Sequence, residues 1–575
     1  MLLLSASAVY LNSLANGFVY DDAWQVIGNR WVTDIKYIPE IFSNNVWGFR
    51  KDVSITNYYR PVMHLIYMTA YHLFGRTPWG FHLVNILFHD GVCVLVFFIA
   101  SRLLKESRPQ HSAKGPSLTP PLMAALLFAT HPIHTEAVAW VAGLPDLSFT
   151  FFYFLSFYFY IRSANSNSLF KGAYLLSVTS FFLATLCKEP SLTLPFILAG
   201  YDCTFRRREI SFVPAVKKYI PFLIVAGIYF ILRFHALRGF APLKVHTELG
   251  VYQNFINVFP LFVQYLEKLI LPINLNIFYV LHPISSISGA KGISSLIIAT
   301  AFIVLIFIAL RTNRVAFIAL LFIALPLLPV LYIPVAGETT FAERYLYISS
   351  FGFVLLAASL LDWAAVNNPA KAAALTILSI VVTGLYSIGT VSRNTTWKDD
   401  CTLFADAARK SPDADLPHYN LGLSLQKKGK MEEAIEQYQT ALKLNPDHVD
   451  AHINLGLAIF SKGEIDEAMK QYQTALKLNP DRVDAHINLG VAFLKKGWID
   501  KAIEQYQIAL ILDPNNVDAH NNLGAAFGDK RWLDEAIEQF QIVLKLNPDH
   551  DNARKNLGRV YELRKTDDEP LHHKK

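Results

Sequence analysis

Charge is scarce in this sequence. Asp, Glu, Lys and Arg make up 17% of its 575 residues and hydrophobic residues 53%, against roughly 25% charged in an average soluble domain. The shortage is uneven. From Met1 to about Thr390 the chain is a series of apolar runs with short polar breaks, and from about Arg393 it is a charged, Ala/Leu/Asn-rich helical repeat. Cysteine is also scarce. None of Cys93, Cys187, Cys203 and Cys401 forms a CxxC pair, and three fall in or beside apolar stretches. That excludes a zinc ribbon or a disulfide framework. The N-terminus has no basic n-region, and its apolar stretch runs straight into a polar segment, so a first spanning helix is expected there rather than a cleaved signal peptide. The net charge of +6 comes from clusters between apolar runs. These read as membrane-flanking signals, and no nucleic-acid partner is expected.

A helix needs about 20 apolar residues to cross the hydrocarbon core. Spans are expected near 2–16, 79–101, 120–138, 144–161, 170–187, 190–204, 218–235, 292–310, 315–334, 344–361 and 372–390, about eleven in all, the first and sixth being short. Two amphipathic stretches, about 58–74 and 254–271, are expected along the interface. Basic residues Arg102, Lys105, Arg108, Lys114, Arg162, Arg206, Arg207, Arg208, Lys217, Lys218, Arg311 and Arg314 lie in alternate loops. By the positive-inside rule those loops are cytoplasmic, which puts Gly17–Pro78 and everything after residue 390 on the outer side.

The C-terminal part repeats every 34 residues. Gly422, Gly456, Gly490, Gly524 and Gly558 keep that step, as do Pro412, Pro446, Pro480, Pro514 and Pro548. Ala434, Ala468, Ala502 and Ala536 follow it, with Tyr438, Tyr472, Tyr506 and Phe540 four residues on. This is the tetratricopeptide signature. Small residues let two helices cross closely, aromatics fill the gap between pairs, and the stacked pairs form a solenoid with a concave groove. The fold class is therefore all-α: a polytopic helical bundle over 1–390, a linker with a degenerate leading repeat over 391–415, and a solenoid over 416–565. Its full repeats are 416–449, 450–483, 484–517 and 518–551, with a partial fifth, and the tail 566–575 is expected to be disordered. A protein or peptide is the expected partner of the groove. Asn420, Asn454, Asn488 and Asn522 recur on the first helix of each pair and are candidates for holding a peptide backbone, or for satisfying carbonyls between repeats.

Ionisable residues at membrane depth are costly and are functional candidates by default. In the charge-rule topology they gather on the outer side: Asp21 and Asp22 after the first span, Arg60 in Tyr59-Arg60-Pro61, His131, His134 and Glu136 at the end of the third, Asp146 after it, Lys188-Glu189 in a hairpin, Arg233 ending the seventh, and Glu338, Glu343 and Arg344. A carboxylate in such a site can take the proton of an incoming hydroxyl. Arg or Lys beside it can stabilise the phosphate leaving group of a lipid-linked sugar. His131, His134 and Glu136 have spacing compatible with metal ligation, but hydrogen-bonded residues at a helix end are the favoured reading, and no metal site is assigned.

The acidic pair after the first span, Tyr59-Arg60-Pro61, the run from His131 through Gly143 and Lys188-Glu189 resemble the transmembrane-and-tetratricopeptide-repeat O-mannosyltransferases, of the GT-C superfamily of integral-membrane glycosyltransferases. The resemblance extends over nearly the whole chain in motif order and two-part architecture. It implies transfer of a sugar, mannose in that family, from a polyprenyl-phosphate donor to a Ser or Thr hydroxyl; no cofactor beyond that donor is assigned, and a divalent cation is not favoured. It makes Asp21 and Asp22 the catalytic pair, one the base and the other a positioning group. Arg60, Lys188, Arg233 and Arg344 are the phosphate candidates by charge and side, with His131, His134, Glu136, Asp146 and Glu189 as further substrate-binding candidates. Localisation is then an inner membrane with periplasmic or extracellular repeats, or the endoplasmic reticulum membrane with lumenal repeats. Two alternatives stand beside the enzyme. One is a non-catalytic scaffold for envelope assembly, in which Asp21 and Asp22 are dispensable. The other is a lipid-linked-sugar transporter, which calls for ionisable groups along the bilayer midplane, where only His89-Asp90 is found.

Overall fold

A computed structural model describes residues 2–50, 56–108, 117–163, 170–206, 212–239, 249–332 and 340–568. Lys114, Arg207, Arg208, Glu338 and the tail beyond Asp568 lie outside the described residues, and of Lys217 only the backbone is described. Among the described residues every regular element is helical. The chain divides into two compact units, Met1–Lys410 and Ser411–Lys575. The unit boundary falls after the compositional one because the polar helix Asp400–Lys410 is tied to the apolar unit. Lys410 Nζ donates to the Leu275 carbonyl at 2.6 Å, and Arg393 pairs with Asp406 at 2.9 Å.

In the first unit, Pro78–Ser107, Lys218–Leu237, Ala290–Thr312, Glu343–Asn367 and Pro369–Trp397 are long and apolar enough to cross a membrane. The bent pair Pro132–Ala139 and Val141–Ser163 makes a sixth if it is counted as one span. Shorter apolar helices lie at Leu2–Ala15, Thr119–Thr130, Gly172–Cys187 and Arg314–Leu327, and Leu194–Phe205 covers the sixth expected stretch. Among the described residues each of the eleven expected stretches falls on apolar helix, and five or six helices have the length to cross alone. Ile303, Phe307, Ile377, Leu385 and Ile388 are exposed on the outer helices. That much bare apolar surface is a liability in water and the normal exterior of a protein in lipid.

Two expectations differ from the structure. The stretch 120–138 is not one straight helix. Thr119–Thr130 ends at His131, which is extended before Pro132, and a separate bend of 105° follows at Trp140, between Pro132–Ala139 and Val141–Ser163. Proline disfavours helical backbone in the residue before it. The helix Pro61–Phe74, expected at the interface, is instead built into the unit. Val62, Met63, His64, Tyr67, Met68 and Ala70 are buried, and Tyr67 donates its hydroxyl to the Val141 carbonyl at 3.0 Å. His64 and Tyr67 have their partners inside, so part of the amphipathic pattern marks a core with polar contacts, while Thr69 and His72 stay exposed. Asn394 opens an Asn-Thr-Thr triplet of the N-glycosylation pattern, but it is fully buried and donates to Val9 O and Asn12 Oδ1, both at 2.8 Å, so the folded chain does not present it for glycosylation.

The second unit is four helical pairs, Asp415–Lys427 with Met431–Leu444, Val449–Ser461 with Ile465–Leu478, Val483–Lys495 with Ile499–Leu512 and Val517–Asp529 with Leu533–Leu546, and then Asp551–Asp568. A Cβ on Gly422, Gly456 or Gly490 would meet the ring of Tyr438, Tyr472 or Tyr506 at 2.5–2.6 Å. The glycine step is therefore set by the aromatic it faces. A second glycine step closes the turn inside each pair: Gly429, Gly463 and Gly497 have φ of 76°, 87° and 77°. In the fourth pair Arg531 takes that place with φ of 61°. A side chain in left-handed backbone costs roughly 1–2 kcal/mol. Arg531→Gly is expected to stabilise the fourth pair by about 1 kcal/mol, seen as slower hydrogen exchange across 517–546. Faster exchange would mean that the contacts of Arg531 outweigh its strain.

Candidate active site

The site is built at breaks in helices, and proline places most of them. Arg60 lies in non-helical backbone immediately before Pro61 opens a helix. Lys188 is extended between the helix Phe170–Cys187 and the turn Glu189–Thr193, which Pro190 begins. Asp146 sits in the first turn of Leu144–Ser163, just after Pro145. Proline is well suited to a first turn, where its missing N–H leaves no bond unmade, and it holds the preceding residues out of the helix. Each break leaves a charged side chain at a helix end.

These ends converge. Asp21, Arg60, Asp146, Lys188 and Arg344 line one cavity of about 90 Å³, together with the aromatic side chains of Trp47, Tyr58, Trp140 and Tyr345. A second cavity of about 200 Å³ is lined by Arg60, Lys188, Glu189 and Arg233 on its charged side and by Pro190, Pro329 and Val330 on its apolar side. Tyr58, Arg60, Lys188 and Tyr345 belong to both. The cations are paired. Lys188 Nζ reaches Asp146 Oδ1 at 2.5 Å, Arg60 reaches Glu189 Oε2 at 3.3 Å, and the Arg344 guanidinium binds Glu136. Arg233 donates to the Asn57 carbonyl at 2.7 Å. The guanidinium of Arg60 lies over the Tyr58 ring and that of Arg344 over Trp140 and Tyr345. Arg60 Nε is buried and makes no hydrogen bond within the protein. Burial draws the Lys188 ammonium down to about 8, with Asp146 opposing part of that fall.

Asp21 and Asp22 have opposite surroundings. Asp21 faces the cavity. Asp22 is fully buried, and its carboxylate accepts from Val19 N at 3.0 Å and Ala142 N at 2.8 Å. Burial pushes its carboxyl well above the usual carboxylate range, against the pull of those two amides. Glu136 lies behind the cavity wall, holding both the backbone N–H and the side chain of Arg344. His131 and His134 do not line either cavity. They are fully buried, His131 against the Leu269 carbonyl at 3.1 Å and the Ile133 amide, and His134 against Ser350 Oγ at 2.8 Å. The His131-Pro132 break thus positions Glu136 and the Ala142 amide rather than presenting histidines. In the repeats, Asn454 donates to the Asp450 carbonyl and to the Tyr419 hydroxyl of the preceding pair, at 2.9 and 3.0 Å. Asn420, Asn488 and Asn522 are half-buried in the same register.

Sequence reasoning missed several residues. Trp47, Trp140 and Tyr345 wall the cavity, and only their neighbours in the charged motifs pointed to them. His418, His452, His486 and His520 each place Nδ1 at 2.7–2.8 Å from Oε1 of Gln437, Gln471, Gln505 and Gln539. Their 34-residue step was the available signal.

The cavity end and the basic loops are far apart. Arg108, at the end of Pro78–Ser107, pairs with Asp362, while Arg344 stands at the start of the helix that carries Asp362. At 1.5 Å per residue these positions are about 27 Å apart, close to the thickness of a hydrocarbon core.

Fold and site together define an integral-membrane helical bundle with an ionisable cavity at one end, followed by a tetratricopeptide-repeat array. Repeat-family models described as "TPR repeat" match 427–461, 456–497 and 492–530, and one described as "Tetratricopeptide repeat" matches 521–569. Over about three quarters of its length the chain is similar to curated protein O-mannosyl-transferases that include the TMTC proteins. It is 28% identical to F38B6.6 of Caenorhabditis elegans over 462 residues, 77% of this chain and 62% of that protein. It is 28% identical to human TMTC4 over 492 residues, 75% and 64% respectively, and 26% identical to mouse TMTC3 over 76% of this chain and 50% of that protein. The chain thus matches about half to two thirds of the length of these relatives. Among solved structures, the TPR protein YrrB is 26% identical over 29% of this chain and 87% of its own, with a TM-score of 0.26.

Removing one member of a buried ion pair leaves the other charge uncompensated, at a cost of about 3 kcal/mol or more. Glu136→Gln is expected to lower the stability of the first unit by about that much, read as a lower melting temperature in detergent. An unchanged melting temperature would show that Trp140 and Tyr345 hold Arg344 without the carboxylate.

Proposed function

We propose that this chain is a membrane glycosyltransferase that moves a sugar, mannose by similarity to its relatives, from a polyprenyl-phosphate donor to a Ser or Thr hydroxyl of an extracytoplasmic protein. The observation that carries this reading is the convergence of Asp21 with Arg60, Lys188 and Arg344 on one cavity whose wall is shared with a second, cation-lined one. In this reading Asp21 takes the proton of the acceptor hydroxyl, and the hydroxyl oxygen attacks the anomeric carbon. The bond from that carbon to the phosphate oxygen breaks, and the departing electron pair goes to the phosphate. Arg60, Lys188 and Arg233 line the second cavity, where they stabilise that charge. The unused Nε of Arg60 fits a phosphate oxygen, and the apolar side made by Pro190, Pro329 and Val330 suits the start of a polyprenyl chain. Asp22 organises the turn, and Asp146, Glu136 and Glu189 hold the cations. The outward orientation rests on the charge of the loops, and the repeats bind the acceptor or a partner.

The test is transfer from polyprenyl-phosphate-mannose to a Ser/Thr acceptor protein at equal membrane expression. Asp21→Asn is expected to reduce the rate by about 100-fold or more, and Asp22→Asn by less. A wild-type rate for Asp21→Asn would remove Asp21 as the base, and no transfer from either protein would favour the scaffold reading. The pH dependence is a second test. The Lys188 ammonium is present below about 8 and lost as the pH rises through that value. The donor KM is therefore expected to rise above pH 8, and in Lys188→Met to be high and flat. A flat wild-type profile would remove Lys188 from the donor site.

A further inference from the structure

Tyr20, immediately before Asp21, has φ of 54°. Left-handed backbone is unfavourable for a residue with a side chain and persists only where the surroundings determine it. Its amide donates to Asp400 Oδ1 at 2.7 Å. Its ring meets Trp140, Phe278 and Phe404 with centroids 6.0, 6.2 and 5.8 Å away. In the same segment, Gly17 N donates to the Lys398 carbonyl at 2.9 Å. Asp400 is not the residue that caps its own helix. Asp399 accepts from Thr402 N at 2.9 Å, and the Asp400 carboxylate reaches across the sequence to Tyr20.

From this geometry we infer that Asp400 and Phe404, on the helix Asp400–Lys410, are positioning residues for Asp21. They hold Tyr20 in a left-handed turn that sends Asp21 into the cavity and folds Asp22 back onto the Val19 and Ala142 amides. Trp140 completes the grip. It stacks on Tyr20, donates to the Val19 carbonyl at 3.4 Å and carries Arg344 over its face. The same indole therefore touches the turn that aims the acid and the cation on the far wall of the cavity. The helix doing this belongs in composition to the repeat half and directly precedes Ser411, where the second unit begins. The catalytic consequence rests on the glycosyltransferase reading, whereas the clamp itself does not.

The experiment uses the full chain in detergent with two readouts: hydrogen exchange of the amides in 17–25, and sugar transfer with kcat and donor KM resolved. Asp400→Ala is expected to speed exchange at Tyr20 and its neighbours and to lower kcat by about tenfold or more, with donor KM unchanged because the cations are untouched. Asp400→Asn keeps an oxygen that accepts from the Tyr20 amide and is expected to restore both. Wild-type exchange in Asp400→Ala, or an Asn variant as defective as the Ala variant, would overturn the proposal, and so would a rise in donor KM with kcat unchanged. Absence of transfer in the wild type overturns the glycosyltransferase reading instead, and the exchange comparison still decides whether Asp400 holds the turn.

Discussion

A charge buried in a helical bundle needs a partner of opposite sign, and this requirement shapes the whole cavity. Lys188, Arg60 and Arg344 each have their own carboxylate, in Asp146, Glu189 and Glu136. Desolvation of an unpaired ion costs several kcal/mol, which the pair recovers only in good geometry. One-to-one pairing lets three cations stand close together without mutual repulsion deciding the fold. It also divides the residues by role. Asp146, Glu136 and Glu189 are each joined to a cation, so these acids near the cavity already have a partner within the fold. Arg233, which donates to the Asn57 carbonyl, adds a further positive charge to the second cavity.

Pairing of this kind requires that helices stop where the charges are. Proline supplies the stops beside Arg60, Lys188 and Asp146, and the His131-Pro132 break adds a fourth. A further break follows at Trp140, where Pro132–Ala139 and Val141–Ser163 meet at 105°, and one short segment thus carries Glu136 behind the cavity wall and Ala142 and Asp146 on it. Gly143 is part of the same fold-back: a Cβ there would lie 2.3 Å from the Ala137 carbonyl oxygen. The polar motifs and the prolines are thus a single device, in which the proline ends the helix and the freed end carries the charge.

Much of this was legible in the sequence, for reasons that differ by region. The repeats were readable because the 34-residue step makes each contact recur, and Gly456 against Tyr472 is the same event as Gly490 against Tyr506. The apolar stretches were readable in position because apolarity is local. Their continuity was not, since a run such as 120–138 looks the same whether it is straight or broken at Pro132. Arg60, Asp146, Lys188 and Arg344 stood out because charge is scarce in this half of the chain. The histidines stood out for the same reason, yet they are buried against Leu269, Ile133 and Ser350, and no local pattern distinguishes a histidine inside the bundle from one that faces a cavity. Tyr345 and Trp47 were hidden among many aromatics that only pack.

The acidic pair shows the limit most clearly. Asp21 and Asp22 are adjacent and chemically identical, so the sequence treats them alike. Their difference arises from one left-handed residue, which turns consecutive side chains to opposite fates. Asp22 receives two backbone amides and is removed from water; Asp21 remains at the cavity edge. A conformation that tyrosine rarely adopts cannot be read from local preference, because preference argues against it. It exists because Asp400, 380 residues away in the chain, accepts from its amide and three aromatic rings close around its side chain. The turn that distinguishes the two acids is therefore a tertiary product, and the helix that secures it lies where the composition has already changed to that of the repeats.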